Sequence, residues 1–427
     1  MGTPSDQEVI VGGEEDRRPE FSEFDPLTED QRGDPYPVLA RARHERAVFW
    51  MPAHGMWCVT RHQDALDVLR DPGTYSSRNM GGNQADPPDG FQETLAHGFP
   101  TRINFAGMDP PEHTRLRKLV QPAFTPKVLR QYESDFGAIA DSLLDAAEPE
   151  GEIDLIGGFG GPFAGTSITQ MFGLAIHDPH QYERWIAASL AVMFAPPGGY
   201  DETLDETVKR AETLVEVDEY LGGLIEEKRS SASDDFLSTL MRSGDDDQVL
   251  TESELKGTLC LLLLAGTHTT SNLIANMTMN LLGERERWEA VVEDPETIPA
   301  VVEESLRLCG PSRGVYRETT KEVEVGGQRI PAGEAIYVCL ASANHDEAVF
   351  PHPDEFDPTR PNLSSHVAMS RWTHFCLGAP LAKMSARIAL NAFVRRFPGM
   401  EMISGQKLEW TENAIQPKLL SVRVSLR

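Results

Sequence analysis

"MSRWTHFCLGAPLAKM", residues 369–384, sets one cysteine, Cys376, two residues after His374 and two before Gly378. The segment that follows reads as a helix. A cysteine at a helix N-terminus meets unpaired backbone N–H groups and the positive end of the helix dipole, and both favour thiolate over thiol. Gly378 lets the backbone approach closely, and Pro380 suits a first helical turn, where no N–H is needed. The stretch therefore predicts that Cys376 is an anion: a nucleophile, a redox thiol or a metal ligand. The plainer reading is a small buried hydrophobe.

The rest of the composition narrows these choices. The chain has 427 residues, with 39 basic against 67 acidic side chains, a net charge of −28. Such a chain repels phosphate backbones and anionic lipid heads, so nucleic acid and membrane surfaces are poor partners. The five cysteines (58, 260, 309, 339 and 376) include no C-x-x-C pair. That argues against a zinc ribbon or a disulfide scaffold and fits a reducing cytosol. The polar, acidic start predicts a disordered tail over residues 1–20 and one domain over 21–427. It lacks the apolar core of a signal peptide. The longest apolar run, "LCLLLLAG" (259–266), is too short to span a bilayer. A cytoplasmic location is expected.

The pattern along the chain is mainly α with smaller β-sheet regions. Residues 34–43 read as a helix, and "AVFWM" and "MWCVT" around "PAHG" read as a β-hairpin. Residues 76–104, rich in Gly, Pro, Asn and Asp, predict a long functional loop. "DPPEHTRLRKLV" predicts a helix with Asp109 as N-cap, Pro110 in the first turn and Glu112 at capping-box spacing. "TESELKGTLCLLLLAGTHTTSNLIANMTMNLL" predicts a long buried helix capped by Thr251 and Glu254. Its middle, Gly266 to Ser271, is small, β-branched or polar; poor helix formers at the centre of a buried helix predict a functional site. "KEVEVGGQRIPAGEAIYVCL" predicts strands with a Gly-Gly turn.

Six segments, "GVYRETTKEVEVGGQRIPAGEAI" among them, resemble the cytochrome P450 superfamily of haem-thiolate monooxygenases in their order and spacing. "THFCLGAPLAKM" resembles its haem-ligand loop, and "EESLR" its Glu-x-x-Arg helix, at Glu304 and Arg307. "PDEFDPTR" is similar to its meander, where Arg360 joins those two in a buried ion network. "AGTHTT" (265–270) resembles the oxygen-binding groove of the central helix, and "DPPEHTRLRKLV" matches bacterial members. The likeness covers about residue 30 to the end. It implies a triangular helical prism around haem b (iron protoporphyrin IX), with Cys376 thiolate as the iron ligand. It also implies that His113, Arg117, Arg317 and His374 hold the haem propionates, and that Ala265 and Gly266 leave room above the iron. His268 stands where the family has an acid, and Thr269 matches the family's threonine; together they are expected to deliver protons on the oxygen side.

The ligand loop departs from the family at three places. Met369 replaces a phenylalanine, and Ser370 and Trp372 replace glycines that reach positive φ easily. His345 stands where an arginine is common. The implied activity is oxidation of an apolar or aromatic small molecule with dioxygen. Electrons are expected from a ferredoxin and its reductase, because "GGFGGPFAG" lacks nucleotide-binding spacing. Arg115, Lys118, Lys383 and Arg387 are expected to form the ferredoxin dock. The alternatives are a peroxide-using or non-oxygenating haem-thiolate enzyme, a haem-based sensor, and a cysteine-nucleophile hydrolase with His374 beside Cys376.

Overall fold

The computed structural model describes residues 18–78, 105–174, 179–193, 203–230, 235–244 and 249–427. Its longest helix, Glu252–Leu282, begins at the expected cap. The Thr251 hydroxyl accepts the Glu254 N–H at 3.2 Å, and the Glu254 carboxylate accepts the Thr251 N–H at 2.9 Å. Leu255, Leu259, Leu264, Ile274, Met277 and Leu281 are all buried along it. Among the described residues it is the one helix long and apolar enough to cross a membrane, and 72% of its most apolar window is buried inside the protein. Burial on most sides accounts for that composition.

Other helices wrap this central one. Gly161–Phe172 packs closest, because two glycines admit it. A Cβ on Gly160 would lie 2.6 Å from Ser271 Oγ, and one on Gly266 would lie 2.3 Å from Ile168 Cδ1. Ile298–Cys309 and Ala379–Arg396 pack on other sides and bury Val301, Leu306, Ala386 and Phe393. The aromatic rings of Phe159 and Phe393 meet at 4.5 Å.

The main sheet joins distant parts of the chain in the order β1-β2-β8-β5-β3. β1 (Val48–Met51) and β2 (Met56–Val59) form the expected hairpin, with Met51 opposite Met56. β8 (Ala335–Val338) runs parallel to β2, and β5 (Val315–Thr319) and β3 (Tyr75–Ser76) complete it antiparallel. β6 (Val323–Val325) and β7 (Gln328–Ile330) turn at Gly326 and Gly327, with φ of 55° and 77°. That is the geometry for which a Gly-Gly pair is suited. β4 (Glu152–Asp154), β9 (Glu401–Met402) and β10 (Arg423–Ser425) make a third, small sheet.

Two expectations need correction. Residues 1–17 of the expected tail lie outside the described residues, but its end is docked on the fold. Trp50 N–H donates to Pro19 O at 2.7 Å, and Arg18 lies 3.8 Å over the Trp50 ring while pairing with Glu334. Asp109 is not a side-chain cap: the helix starts at Glu112 after Pro111, without one. The Asp109 carboxylate instead accepts the Ser76 hydroxyl at 2.6 Å and the Ser77 N–H at 2.8 Å. Only its backbone oxygen serves the helix, accepting His113 N–H at 3.0 Å.

The expected ion network forms. Arg307 forks onto Glu304 at 2.7 and 2.8 Å, and Arg360 Nε reaches the same carboxylate at 3.1 Å. The spare N–H groups of both arginines reach the carbonyls of Asn344, Pro353, Glu355, Pro351 and His352. His345, in the position of the family's arginine, keeps the same region tied. One ring nitrogen meets Asp354 at 2.8 Å, the other meets Leu308 O at 2.9 Å, and the ring stacks on Tyr36.

Candidate haem site

The loop before Cys376 is held by its backbone. Cys376 N–H donates to Met369 O at 2.8 Å, Ser370 N–H to Val367 O at 2.8 Å, and Ala379 N–H to Cys376 O at 3.3 Å. The helix Ala379–Arg396 follows with Pro380 in its first turn, as expected. Ser370 and Trp372 take φ of 56° and 50°. These are the two positions where the family has glycine, so the loop keeps its shape and bears strain of about 1–2 kcal/mol at each residue. Ser370 is also buried, and among the described residues its hydroxyl has no hydrogen-bond partner.

The helix terminus does not ionise the thiol by itself. Burial pushes the Cys376 thiol up; the Gly378 N–H, the Arg117 charge, the Ala379 N–H and the Lys383 charge pull against it without reversing it. A coordinating thiol is deprotonated outright, so an iron held here would keep Cys376 as the expected thiolate. Among the described residues no group of three or more His, Cys, Asp or Glu could hold a metal. A lone cysteine suits an iron whose remaining ligands come with it, as a porphyrin supplies.

The four expected propionate contacts come together from three parts of the chain. His113 and Arg117 lie one turn apart on Glu112–Val120, Arg317 on β5, and His374 in the turn before Cys376. The His113 and His374 rings are 4.3 Å apart. Arg117 Nη1 donates to Thr373 O at 3.2 Å, and Arg317 Nη1 to Tyr316 O at 2.6 Å. Arg317 is only 5% exposed. Burial lowers its pKa to about 10, with Asp109 opposing. Burial, then repulsion from Arg317, His113 and Arg117, lowers His374 to about 3. No carboxylate forms an ion pair with Arg117 or Arg317 among the described residues. Two guanidiniums and two imidazoles that can each donate a ring N–H are chemically suited to one or two carboxylates, so the donor set fits haem propionates.

On the opposite side, Ala265 is exposed in the middle of a helix whose flanks are buried. Thr269 Oγ1 donates back to Ala265 O at 2.6 Å. Gly266 has a different reason from the expected one: Ile168 fills the place of its side chain, which is helix packing and not room above an iron. His268 does not titrate near neutrality; burial, then Lys418, lowers its pKa to about 4. Thr267 turns away and bonds Tyr182 at 2.6 Å.

Several contributors were invisible in the sequence. Ser77 holds His374 Nε2 at 3.0 Å and depends on Asp109. Lys418 reaches His268 from the C-terminal segment, and Asn272 Nδ2, one turn along, meets Pro417 O at 3.5 Å. Glu303 ties His366 at 3.1 Å and Lys383 at 2.6 Å, joining the Glu-x-x-Arg helix to the ligand loop. Each is a long-range pairing with no local spacing signal. The resemblance also implies substrate walls from the loop 76–104, from residues near Met193–Phe194 and from 311–316; of these, 79–104 and Phe194 lie outside the described residues. At 311–316, Gly314 is bare because the Tyr337 ring lies against it, 2.3 Å from a Cβ there.

Comparison with known proteins bears on the same region. The family model for Cytochrome P450 matches residues 47–420. The chain is 34% identical over 405 residues to "Cytochrome P450 107B1" of Saccharopolyspora erythraea, covering 92% of this chain and 94% of that one. It is 35% identical over 355 residues to the erythromycin C-12 hydroxylase of the same organism, covering 83% and 85%. Among solved structures, cytochrome P450 CREJ in complex with (4-ethylphenyl) dihydrogen phosphate superposes with a TM-score of 0.84 at 29% identity, covering 94% of this chain and 98% of that one. A haem-thiolate donor set, the expected ion network and these matches agree: the chain belongs to the cytochrome P450 family of monooxygenases.

Proposed function

We propose that this protein is a cytoplasmic haem b monooxygenase, a single catalytic domain over residues 21–427, that oxidises an apolar or aromatic small molecule with dioxygen. Its electrons come from a ferredoxin and its reductase. The carrying observation is the gathering of His113, Arg117, Arg317 and His374 beside the Cys376 loop, where neither arginine is ion-paired with a carboxylate among the described residues. When bound through Cys376, haem supplies the activation of dioxygen, with the thiolate pushing electron density toward O–O cleavage.

The chain's own residues do the rest. Arg117 and Arg317 offer guanidinium forks to the propionates, and neutral His113 and His374 each offer one ring N–H. Thr269 holds its proton on Oγ1, shared with Ala265 O. Neutral His268 has one donor and one acceptor nitrogen, so it passes a proton only by accepting on one nitrogen as it releases from the other. Substrate class follows from the general apolar character of such pockets and from the relative that hydroxylates erythromycin.

For the donor dock, three of the four expected cations are engaged: Arg115 by Glu254, Lys383 by Glu303 at 2.6 Å and Arg387 by Glu133 at 3.8 Å. Lys118 is exposed. The test is turnover of apolar and aromatic compounds with ferredoxin, reductase and dioxygen, against peroxide alone. Product with the first set only supports the reading; product with peroxide alone, at equal rate, contradicts it.

A further inference from the structure

Trp372 is out of place by two measures. Its backbone sits at φ 50°, where a bulky L side chain is an outlier. Its indole is 42% exposed, although Trp is among the most hydrophobic of side chains. Three residues on, immediately before Cys376, Phe375 is 36% exposed. The two rings stand on the ligand loop itself.

Cations border them. Arg70, at the end of the helix His62–Arg70, lies 5.2 Å over the Trp372 ring. Arg117 fastens the loop through Thr373 O, and the next residue of its helix, Lys118, is exposed. Neither Arg70 nor Lys118 has an ion-pair partner among the described residues, whereas Arg115, Lys383 and Arg387 each have one. In a chain of net charge −28, an unpaired arginine lying over an exposed tryptophan sets a cation against an apolar centre.

We propose that Trp372, with Phe375 beside it, is the apolar anchor on which an acidic electron-transfer protein seats, while Arg70 and Lys118 meet its carboxylates. The inference rests on the reading that a ferredoxin delivers electrons at the cysteine face. Rim charges govern encounter rate and orientation more than affinity. Affinity concentrates in a few residues, and Trp is foremost among them. Electron-transfer interfaces are small, so one anchor is a large part of the whole. Strained backbone persists where the surroundings hold it, and clusters at functional sites. Glycine would remove the strain at residue 372 and also remove the ring.

The test uses the haem-loaded protein and, as probe, a plant-type [2Fe–2S] ferredoxin at low salt. Kd is measured by calorimetry for the wild type, Trp372→Gly, Trp372→Phe and the double variant Arg70→Glu/Lys118→Glu. Trp372→Gly is expected to weaken ferredoxin binding about 10-fold while its thermal midpoint is held or raised and its reduction by dithionite is unchanged. Trp372→Phe is expected to recover most of the affinity. If charge reversal weakens binding and Trp372→Gly does not, the anchor is wrong and the ferredoxin reading stands. If neither changes Kd, or the wild type does not bind, the dock at this face is overturned as well.

Discussion

Two buried clusters of charge lie in this molecule, and they are built to opposite rules. Around Glu304, two guanidiniums meet one carboxylate, and their remaining N–H groups reach backbone carbonyls. Around His374, two guanidiniums and two imidazoles meet, and neither guanidinium is ion-paired with a carboxylate among the described residues. The first cluster is complete and holds the fold. The second sets two guanidiniums beside two neutral imidazoles, with Asp109 opposing the effect of burial on Arg317, and Ser77 and a few carbonyls hold it. A self-satisfied ion cluster reads as structure; a cluster with guanidinium donors to spare reads as a site for an anionic ligand.

The contrast can be broken by substitution. Glu304→Gln should cost about 3–5 kcal/mol, because it leaves two buried cations without their anion. A denaturant titration reads this, and an unchanged midpoint would dissolve the distinction. Arg317→Met should do the reverse: the haem-free protein is as stable or more so, since a buried cation is removed. Haem retention falls by about 1.5–3 kcal/mol, roughly 10- to 100-fold, as one charge-assisted contact is lost. Competition for haem against apomyoglobin measures it. Ser370→Gly should raise stability by about 1 kcal/mol by relieving φ 56°, and it also deletes an unpartnered hydroxyl.

The smallest effect concerns pH. His268 is pushed down to about 4, mainly by burial. Its folded value lies below the unfolded one of about 6.5. The unfolded chain therefore binds the extra proton first, so His268's share of stability is present above pH 6.5 and drains away as pH falls toward 4. Lys418→Met should raise the imidazole's pKa and narrow that window, which an NMR titration of the ring would follow. An unmoved titration would mean that Lys418 does not act on His268.

The sequence was a good guide where the signal is local. The capping box at Thr251 and Glu254, the Gly-Gly turn and the Pro380 start all rest on residues within a few positions, and all formed. The Glu304 network was legible through family likeness, because each member lies in its own short motif. Asp109 misled, since a nearby helix start looked like its natural partner while Ser76 and Ser77, distant in sequence, held the better donors. Gly266 misled through the resemblance, which implied open space above the iron, but Ile168 of another helix fills it. At Cys376 the helix terminus is visible in sequence, while the opposing push of burial on the thiol needed the structure. The lost glycines at 370 and 372 were legible as a departure; that the backbone keeps positive φ regardless needed the structure.

The account stands on sulfur at position 376 binding haem iron as thiolate. The direct measurement is the absorption spectrum of the reduced, haem-loaded protein under carbon monoxide, for the wild type and Cys376→Ser. The wild type should show the strongly red-shifted Soret band of a thiolate ligand, and Cys376→Ser should lose it. A band at the imidazole-ligated position in the wild type, or an unaltered red-shifted band in Cys376→Ser, would contradict the assignment.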